Sequence, residues 1–453
     1  MGTANNWLLR GGTLVTVDET QPVLTGDLLI IDGVIAALGT IHPDDPRLAG
    51  VQVRDVTGCV VLPGLVQAHI HLCQTLGRGL ADDLPLLRWL KERVLPYEAA
   101  LDENDIALAA QVGIAELLLS GTTNLLDMGT VRHHDALCTA VAKTGIRATL
   151  GKAMMDHPDT VPANLRETTE ASLREADELC QRWHGHGRLR YGYAPRFLVS
   201  CSDSLMRGVA ERVTQSSRQG PGIHTHASEQ RDEVALIRDR TGQDNVAALR
   251  ALGVGGPRTV LAHCVHVTEK EISHLQQDGT HVTHCPSSNL KLGSGIAPVA
   301  RLLAEKVDVA LGADGAPCNN RLDGFAELRL MAILQKGLLG PEVLPAKTAL
   351  RIATLGGAKA LGQDDVVGSL TQGKRADVVV VGPHSPGQLP AHDPVSMLVY
   401  ATQGSDVKDV FVDGELLVAS GELTPRTGLD VERLRAECAD RMPKLLRRAG
   451  IAC

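Results

Sequence analysis

Two patterns of apolar and polar positions divide the chain. Near both ends, short apolar runs are joined by turn residues. Leu8-Leu9-Arg10-Gly11-Gly12 leads into Thr13 to Val17, and Leu28 to Ile31 is linked by Asp32-Gly33 to Val34 to Leu38. Asp-Gly between apolar runs suits a type I′ turn, so this stretch predicts a hairpin. Ala376 to Val381 predicts a further strand, and Val410 to Leu417 carries a second Asp-Gly hairpin at Asp413-Gly414. Neither end is long enough to build a core alone. We expect residues 1–57 and 363–425 to pack together as one small β-sandwich.

Between them, over 58–362, short apolar runs alternate with helical stretches. The runs at 60–69, 122–128, 147–152, 189–194, 222–226, 259–263, 281–285 and 307–313 predict eight strands. The helices between them are punctuated: Asp102 can cap 103–119, and Thr268 to Glu271 reads as a capping box before Ile272, with Gly279 closing that helix. Alternation of this kind predicts an α/β fold, a (β/α)8 TIM barrel inserted into the terminal β-sandwich. The last segment, 426–453, predicts an amphipathic helix over Val431 to Arg448.

In such a barrel the chemistry lies at the C-terminal ends of the strands. His69 and His71 end the first predicted strand, two apart and so on one face. His224 and His226 share a parity on the fifth, with Glu229 just beyond. His263 ends the sixth and Asp314 follows the eighth. Ionisable side chains at the ends of apolar strands are costly unless paired or metal-bound. His69, His71, His226 and Asp314 offer three nitrogens and an oxygen to one divalent ion, with room for a water. The period alone leaves His224 and His226 equivalent.

Composition narrows the partners. The formal net charge is −8 over 453 residues, and no basic run is present, which argues against nucleic acid or an anionic membrane surface. Ten cysteines are scattered without a CxxC pair, and no signal peptide or membrane span is legible, so we expect a cytoplasmic protein with free thiols. Aromatics are only 2%, so the core must be aliphatic.

Pro63-Gly64-Leu65-Val66 followed by His69-x-His71, then His226-x-x-Glu229, Ala262-His263-Cys264 and Gly312-x-Asp314-Gly315, resembles the amidohydrolase superfamily. The resemblance spans nearly the whole chain, including Gly373 to Asp377 after the barrel. Within the superfamily it is similar to the mononuclear aminohydrolases that deaminate purines and related heterocycles. The resemblance selects His226 over His224 as a metal ligand. It implies one divalent ion, zinc first with iron or manganese open, whose bound hydroxide attacks a cyclic amidine carbon and releases ammonia. Asp314 would ligate the ion and move the proton of the water, Glu229 would be the general acid, and His263 would orient the attacking water and leaving group. Binuclear branches use a lysine on strand 4. Arg190 to Pro195 holds none, and Lys152 lies at the end of strand 3, which favours one metal.

Two substrate signals diverge. Ala81 to Leu86, Leu95-Pro96-Tyr97-Glu98 and Asp314 to Asn320 are similar to deaminases of S-adenosylhomocysteine, methylthioadenosine or 5′-deoxyadenosine, where Glu98 would accept hydrogen bonds from ribose hydroxyls. Gln74 and Ala194-Pro195-Arg196-Phe197 are similar to guanine deaminases, where Gln74 and Arg196 would bind the polar edge of the base and Phe197 would stack on it. Ser287 to Gly295 is shared with triazine hydrolases and does not discriminate. The expected activity is hydrolytic deamination of a purine nucleoside, with guanine or another amino-heterocycle (a triazine or pterin) as the alternative. The family is commonly homo-oligomeric.

Overall fold

The computed structural model describes residues 5–217, 219–382 and 385–451, so the outermost ends of the predicted terminal segments lie outside the described residues. Its centre is an α/β barrel of eight parallel strands. In chain order these are Leu65–His71, Thr122–Met128, Arg147–Gly151, Leu189–Tyr191, Ile223–Ala227, Thr259–His263, His281–His284 and Val309–Leu311. Sequential neighbours pair from the fifth strand to the eighth, and the eighth returns to the first. Between the fourth and fifth strands the ring closes through Tyr193, whose N–H donates to Gly222 O (2.9 Å) and whose carbonyl accepts from His224 N (2.9 Å).

The helices start where their caps require. Asp102 and Asp105 form a reciprocal capping box at Glu103–Leu119, and Thr268 and Glu271 form another at Glu269–Asp278, which Gly279 ends in the left-handed region. The C-terminal helix Val431–Ala449 leaves most of its polar face exposed and buries Leu434, Leu445 and Leu446.

The two terminal segments join in a single nine-stranded sheet with its own apolar cluster, which includes Trp7, Leu28, Ile30, Val378 and Phe411. Both expected hairpins are present, Val23–Ile31 with Val34–Gly39 and Val407–Val412 with Glu415–Ala419.

The first predicted strand, 60–69, requires correction. It is two strands, Val60–Pro63 and Leu65–His71, in different sheets. Val60–Pro63 pairs with Val378–Val381 in the terminal sheet, and only Leu65–His71 enters the barrel. Gly64 makes the transfer between them. A Cβ there would lie 1.9 Å from Thr123 Oγ1, so only glycine lets the chain pass this close to the second strand. The first barrel strand therefore begins at Leu65 and not at 60.

A buried ion cluster fastens the sheet to the barrel. Arg147, at the start of the third strand, donates to Asp377 Oδ2 (2.9 Å) and Oδ1 (3.0 Å) and also to Asp413. Arg188 and Arg375 complete Asp413, each at 2.7 Å. Removing one member leaves buried charge uncompensated. Arg147→Ala should therefore lower stability by about 3–5 kcal/mol, read as a lower urea midpoint.

Candidate metal centre and active site

Each reactive side chain stands at the C-terminal end of a barrel strand. The first strand presents His69 and His71, the fifth His226, and the sixth His263. Asp314-Gly315 runs beside Ile70-His71, which brings the Asp314 carboxylate against both histidines. His69 Nε2 is 3.2 Å and His71 Nε2 3.4 Å from Asp314 Oδ1. One ligand atom from each of His69, His71, His226 and Asp314 can be chosen so that all lie within 4.8 Å of one another, and all four residues are buried.

The tautomers fit a cation. His71 Nδ1 lies 2.8 Å from the carbonyl of Met128, and His226 Nδ1 lies 2.7 Å from that of Arg196. A carbonyl only accepts, so both rings carry their proton on Nδ1 and turn the lone pair of Nε2 inward. Those two Nε2 atoms are 3.2 Å apart. Two lone pairs face to face repel unless a cation sits between them. His69 Nε2 is also buried, with no hydrogen-bond partner among the described residues. Burial holds all three imidazoles below their ordinary pKa, His71 to about 3 with the charge of His69 as the next cause, so they are neutral and available as ligands. Burial alone would raise Asp314, but contact with His69 and the positive charge of His263 outweigh it and hold the carboxyl well below its ordinary pKa. The group is built to hold one divalent metal ion.

Beside the ligands, His263 Nε2 lies 3.6 Å from Glu229 Oε2 and 3.9 Å from Asp314 Oδ2. Burial raises Glu229 to about 7. Burial would lower His263, yet Glu229 and Asp314 outweigh it and raise it. Ser228, His263 and Asp314 have positive φ (53°, 75° and 62°), a strained backbone that clusters at functional sites.

Four residues outside the expected set support this centre. His224 Nε2 is 2.7 Å from His69 Nδ1, so it orients a ligand from one layer deeper in the barrel. Asp127 accepts from Leu72 N (2.7 Å) and holds the chain just after His71. Ser288 and Asn289 contact Asp314 and His263. His224 had a sequence signal, its shared parity with His226. Asp127 had none beyond being polar within an apolar run, and Ser288 and Asn289 lay in the shared segment Ser287 to Gly295, which gave them no individual role.

The proposed substrate residues fall into two groups. Arg196 and Phe197 line the pocket over the metal group with Leu86, Trp89, Leu90 and Leu292. Gln74 and Glu98 lie behind that wall and are buried. Arg196 donates to Glu98 through Nη1 (2.7 Å) and Nη2 (3.1 Å), and Gln74 Nε2 donates to Glu98 Oε1 (2.8 Å). Gln74, Glu98 and Arg196, read from sequence as signs of different substrates, are thus one network. The space these residues enclose over the metal group measures about 20 Å³, room for about one water. A larger cavity of about 610 Å³ lies between the helices Glu103–Leu119 and Val431–Ala449 and contains none of the reactive residues.

Comparison with known proteins places the chain among relatives of one family. The amidohydrolase family model matches residues 60–417. A 5-methylthioadenosine/S-adenosylhomocysteine deaminase of Moorella thermoacetica is 40% identical over 430 residues, covering 91% of this chain and 97% of the relative. A 5′-deoxyadenosine deaminase of Methanothermobacter thermautotrophicus is 40% identical over 420 residues, covering 90% and 95%. Among solved structures, a zinc-bound adenosine deaminase from Xanthomonas campestris superposes with a TM-score of 0.90 at 33% identity, covering 97% of this chain and 98% of that one. No helix among the described residues is long and apolar enough to cross a membrane. With its family match, its eight-stranded barrel and its His-His-His-Asp group, this chain belongs to the amidohydrolase family.

Proposed function

We propose that the protein is a metal-dependent hydrolytic deaminase of a purine nucleoside, of the 5′-deoxyadenosine, methylthioadenosine, S-adenosylhomocysteine or adenosine type. The observation that carries this reading is the placement of Glu229. It is a buried carboxyl with a pKa of about 7, facing His263 and sharing the pocket with Asp314 and the metal group. The relatives named for such nucleosides are 40% identical over nearly the full chain.

A divalent ion held by His69, His71, His226 and Asp314, zinc by analogy with the Xanthomonas structure, would supply activation of water as a nucleophile near neutral pH. Asp314, ionised beside that centre, takes the proton of the attacking water. Glu229, protonated, delivers a proton to the ring nitrogen next to the amidine carbon. His263 Nε2, between Glu229 and Asp314, orients the attacking and leaving groups. Trp89, Phe197 and Leu292 pack on the ring system. Glu98, preset by Arg196 and Gln74, takes the ribose hydroxyls once the pocket opens. A general acid works in its protonated form, so kcat/KM should fall as pH rises through about 7. The nearby cation favours the carboxylate and moves that limb lower, and Glu229→Gln should remove it from the profile.

The alternative is guanine or another amino-heterocycle, favoured by one observation: Arg196 lines the pocket directly whereas Glu98 does not. Ammonia release from 5′-deoxyadenosine, methylthioadenosine, S-adenosylhomocysteine, adenosine, guanine and cytosine, offered in parallel, decides between them. Preference for the nucleosides supports the proposal, and preference for guanine overturns it.

The terminal sheet is read as the small β-sandwich expected of 1–57 and 363–425, now with Val60–Pro63 added, around a catalytic barrel that reaches 362, with 426–453 as a closing helix. A cytoplasmic homo-oligomer completes the proposal. Exposed Ile333, Leu338 and Leu339 on one helix support a subunit contact, which sedimentation would test.

A further inference from the structure

The seventh barrel strand, His281–His284, gives no residue to the metal group. The segment that follows it nevertheless touches three reactive side chains carried by three other strand ends. Ser288 Oγ donates to Asp314 Oδ2 (2.6 Å). Asn289 Oδ1 lies 2.9 Å from His263 Nδ1 and accepts its N–H. Ser294 Oγ donates to Glu229 Oε1 (3.3 Å). All three are buried, so these are not incidental surface contacts.

The segment is itself fixed from both sides. Gln230 Nε2 donates to Leu292 O (2.8 Å), Ser294 N donates to Asn289 O (2.8 Å), and His266 Nε2 lies 2.8 Å from Ser294 O. Lys291 ties it to Asp82, to Pro317 O and to Asn320.

The division of labour follows from which atoms are held. Asp314 points Oδ1 at His69 and His71, and Ser288 holds the other oxygen, which sets the plane of the carboxylate. Asn289 holds the outer nitrogen of His263, which aims Nε2 at Glu229 and Asp314. We propose that Ser288 and Asn289 are positioning residues with separable effects: Ser288 sets cation affinity through Asp314, and Asn289 sets turnover through the orientation and tautomer of His263. The turnover half rests on the deaminase reading above, whereas the affinity half does not.

The test uses the full-length protein with zinc alone as the affinity probe. In competition with a chromophoric chelator, Ser288→Ala should weaken zinc binding about 10–100-fold, and Ser288→Thr, which keeps the hydroxyl, should restore it. Asn289→Ala should keep zinc affinity within about threefold and lower kcat about 10–100-fold with KM little changed, while Asn289→Asp, which keeps an acceptor, should recover most of the rate. Protein labelled with 15N-histidine adds a readout independent of substrate. The His263 signals, assigned against His263→Asn, should show the Nδ1–H tautomer in the parent and lose it in Asn289→Ala. Absence of ammonia release from the parent would count against the deaminase reading, while the chelator and tautomer measurements still judge the positioning roles. The proposal is overturned if Ser288→Ala binds zinc like the parent, if the tautomer is unchanged in Asn289→Ala, or if all four variants lose affinity, rate and thermal stability together.

Discussion

Asp314→Asn should lower kcat/KM by about 10³-fold or more, equivalent to the several kcal/mol of charge stabilisation that a correctly held metal supplies. The substitution keeps shape and volume, so folding should be preserved. On the proposed mechanism it removes the anionic member of the ligand set and the acceptor for the proton of the attacking water together. The structure shows why an amide cannot substitute. Oδ1 meets His69 and His71 at 3.2 and 3.4 Å while Oδ2 accepts from Ser288, and the site holds this carboxyl well below its usual pKa. An amide NH₂ in either position would aim a donor at a metal site or at a hydroxyl donor. Bound zinc, measured by atomic absorption after gel filtration, should fall along with the rate. A variant with full metal and parental turnover would remove Asp314 from both roles.

Glu229→Gln should behave differently. Turnover should drop about 10²–10⁴-fold, the usual worth of a positioned general acid, with metal content unchanged. Glu229 is not among the ligand group, and its nearest reactive contact is His263 at 3.6 Å. Glutamine keeps the acceptor for Ser294 and cannot give up a proton. If the substrate ring stacks against Phe197 as proposed, KM should change little. Parental turnover by this variant would sink the acid role.

His69 and His71 were legible in the sequence because strand geometry is simple, whereas the choice of His226 and the roles of Glu229, His263 and Asp314 came from the resemblance to the family. A period of two places His69 and His71 on one face, and the ends of apolar runs mark where polar side chains meet. The helix starts at Asp102 and Thr268 were legible for an equally local reason, since a cap and its partner lie three residues apart. What failed was long-range. The run 60–69 reads as one strand because its apolar character is continuous, and nothing local reveals that Gly64 passes under Thr123 into another sheet. Glu98 and Arg196 looked like rival indications because they lie far apart in the chain. Their bidentate pairing exists only once the barrel brings the fourth strand end beside the helix Leu95–Ala100 that follows the first strand. Ser288 and Asn289 follow a strand without a ligand, so their roles depend on contacts with strands six and eight. His224 was open by parity alone, and its 2.7 Å contact with His69 assigns it an orienting place behind the centre.

The central claim is that one metal, held by His69, His71, His226 and Asp314, drives release of ammonia from a purine nucleoside. The direct measurement is ammonia formed from 5′-deoxyadenosine by protein stripped of metal and then titrated with zinc. The account predicts no release from the stripped protein and activity that rises linearly to a plateau at one zinc per chain, with one ammonia per nucleoside consumed. Undiminished release from the stripped protein, or a fully zinc-loaded protein that leaves every nucleoside of the panel intact, would contradict it.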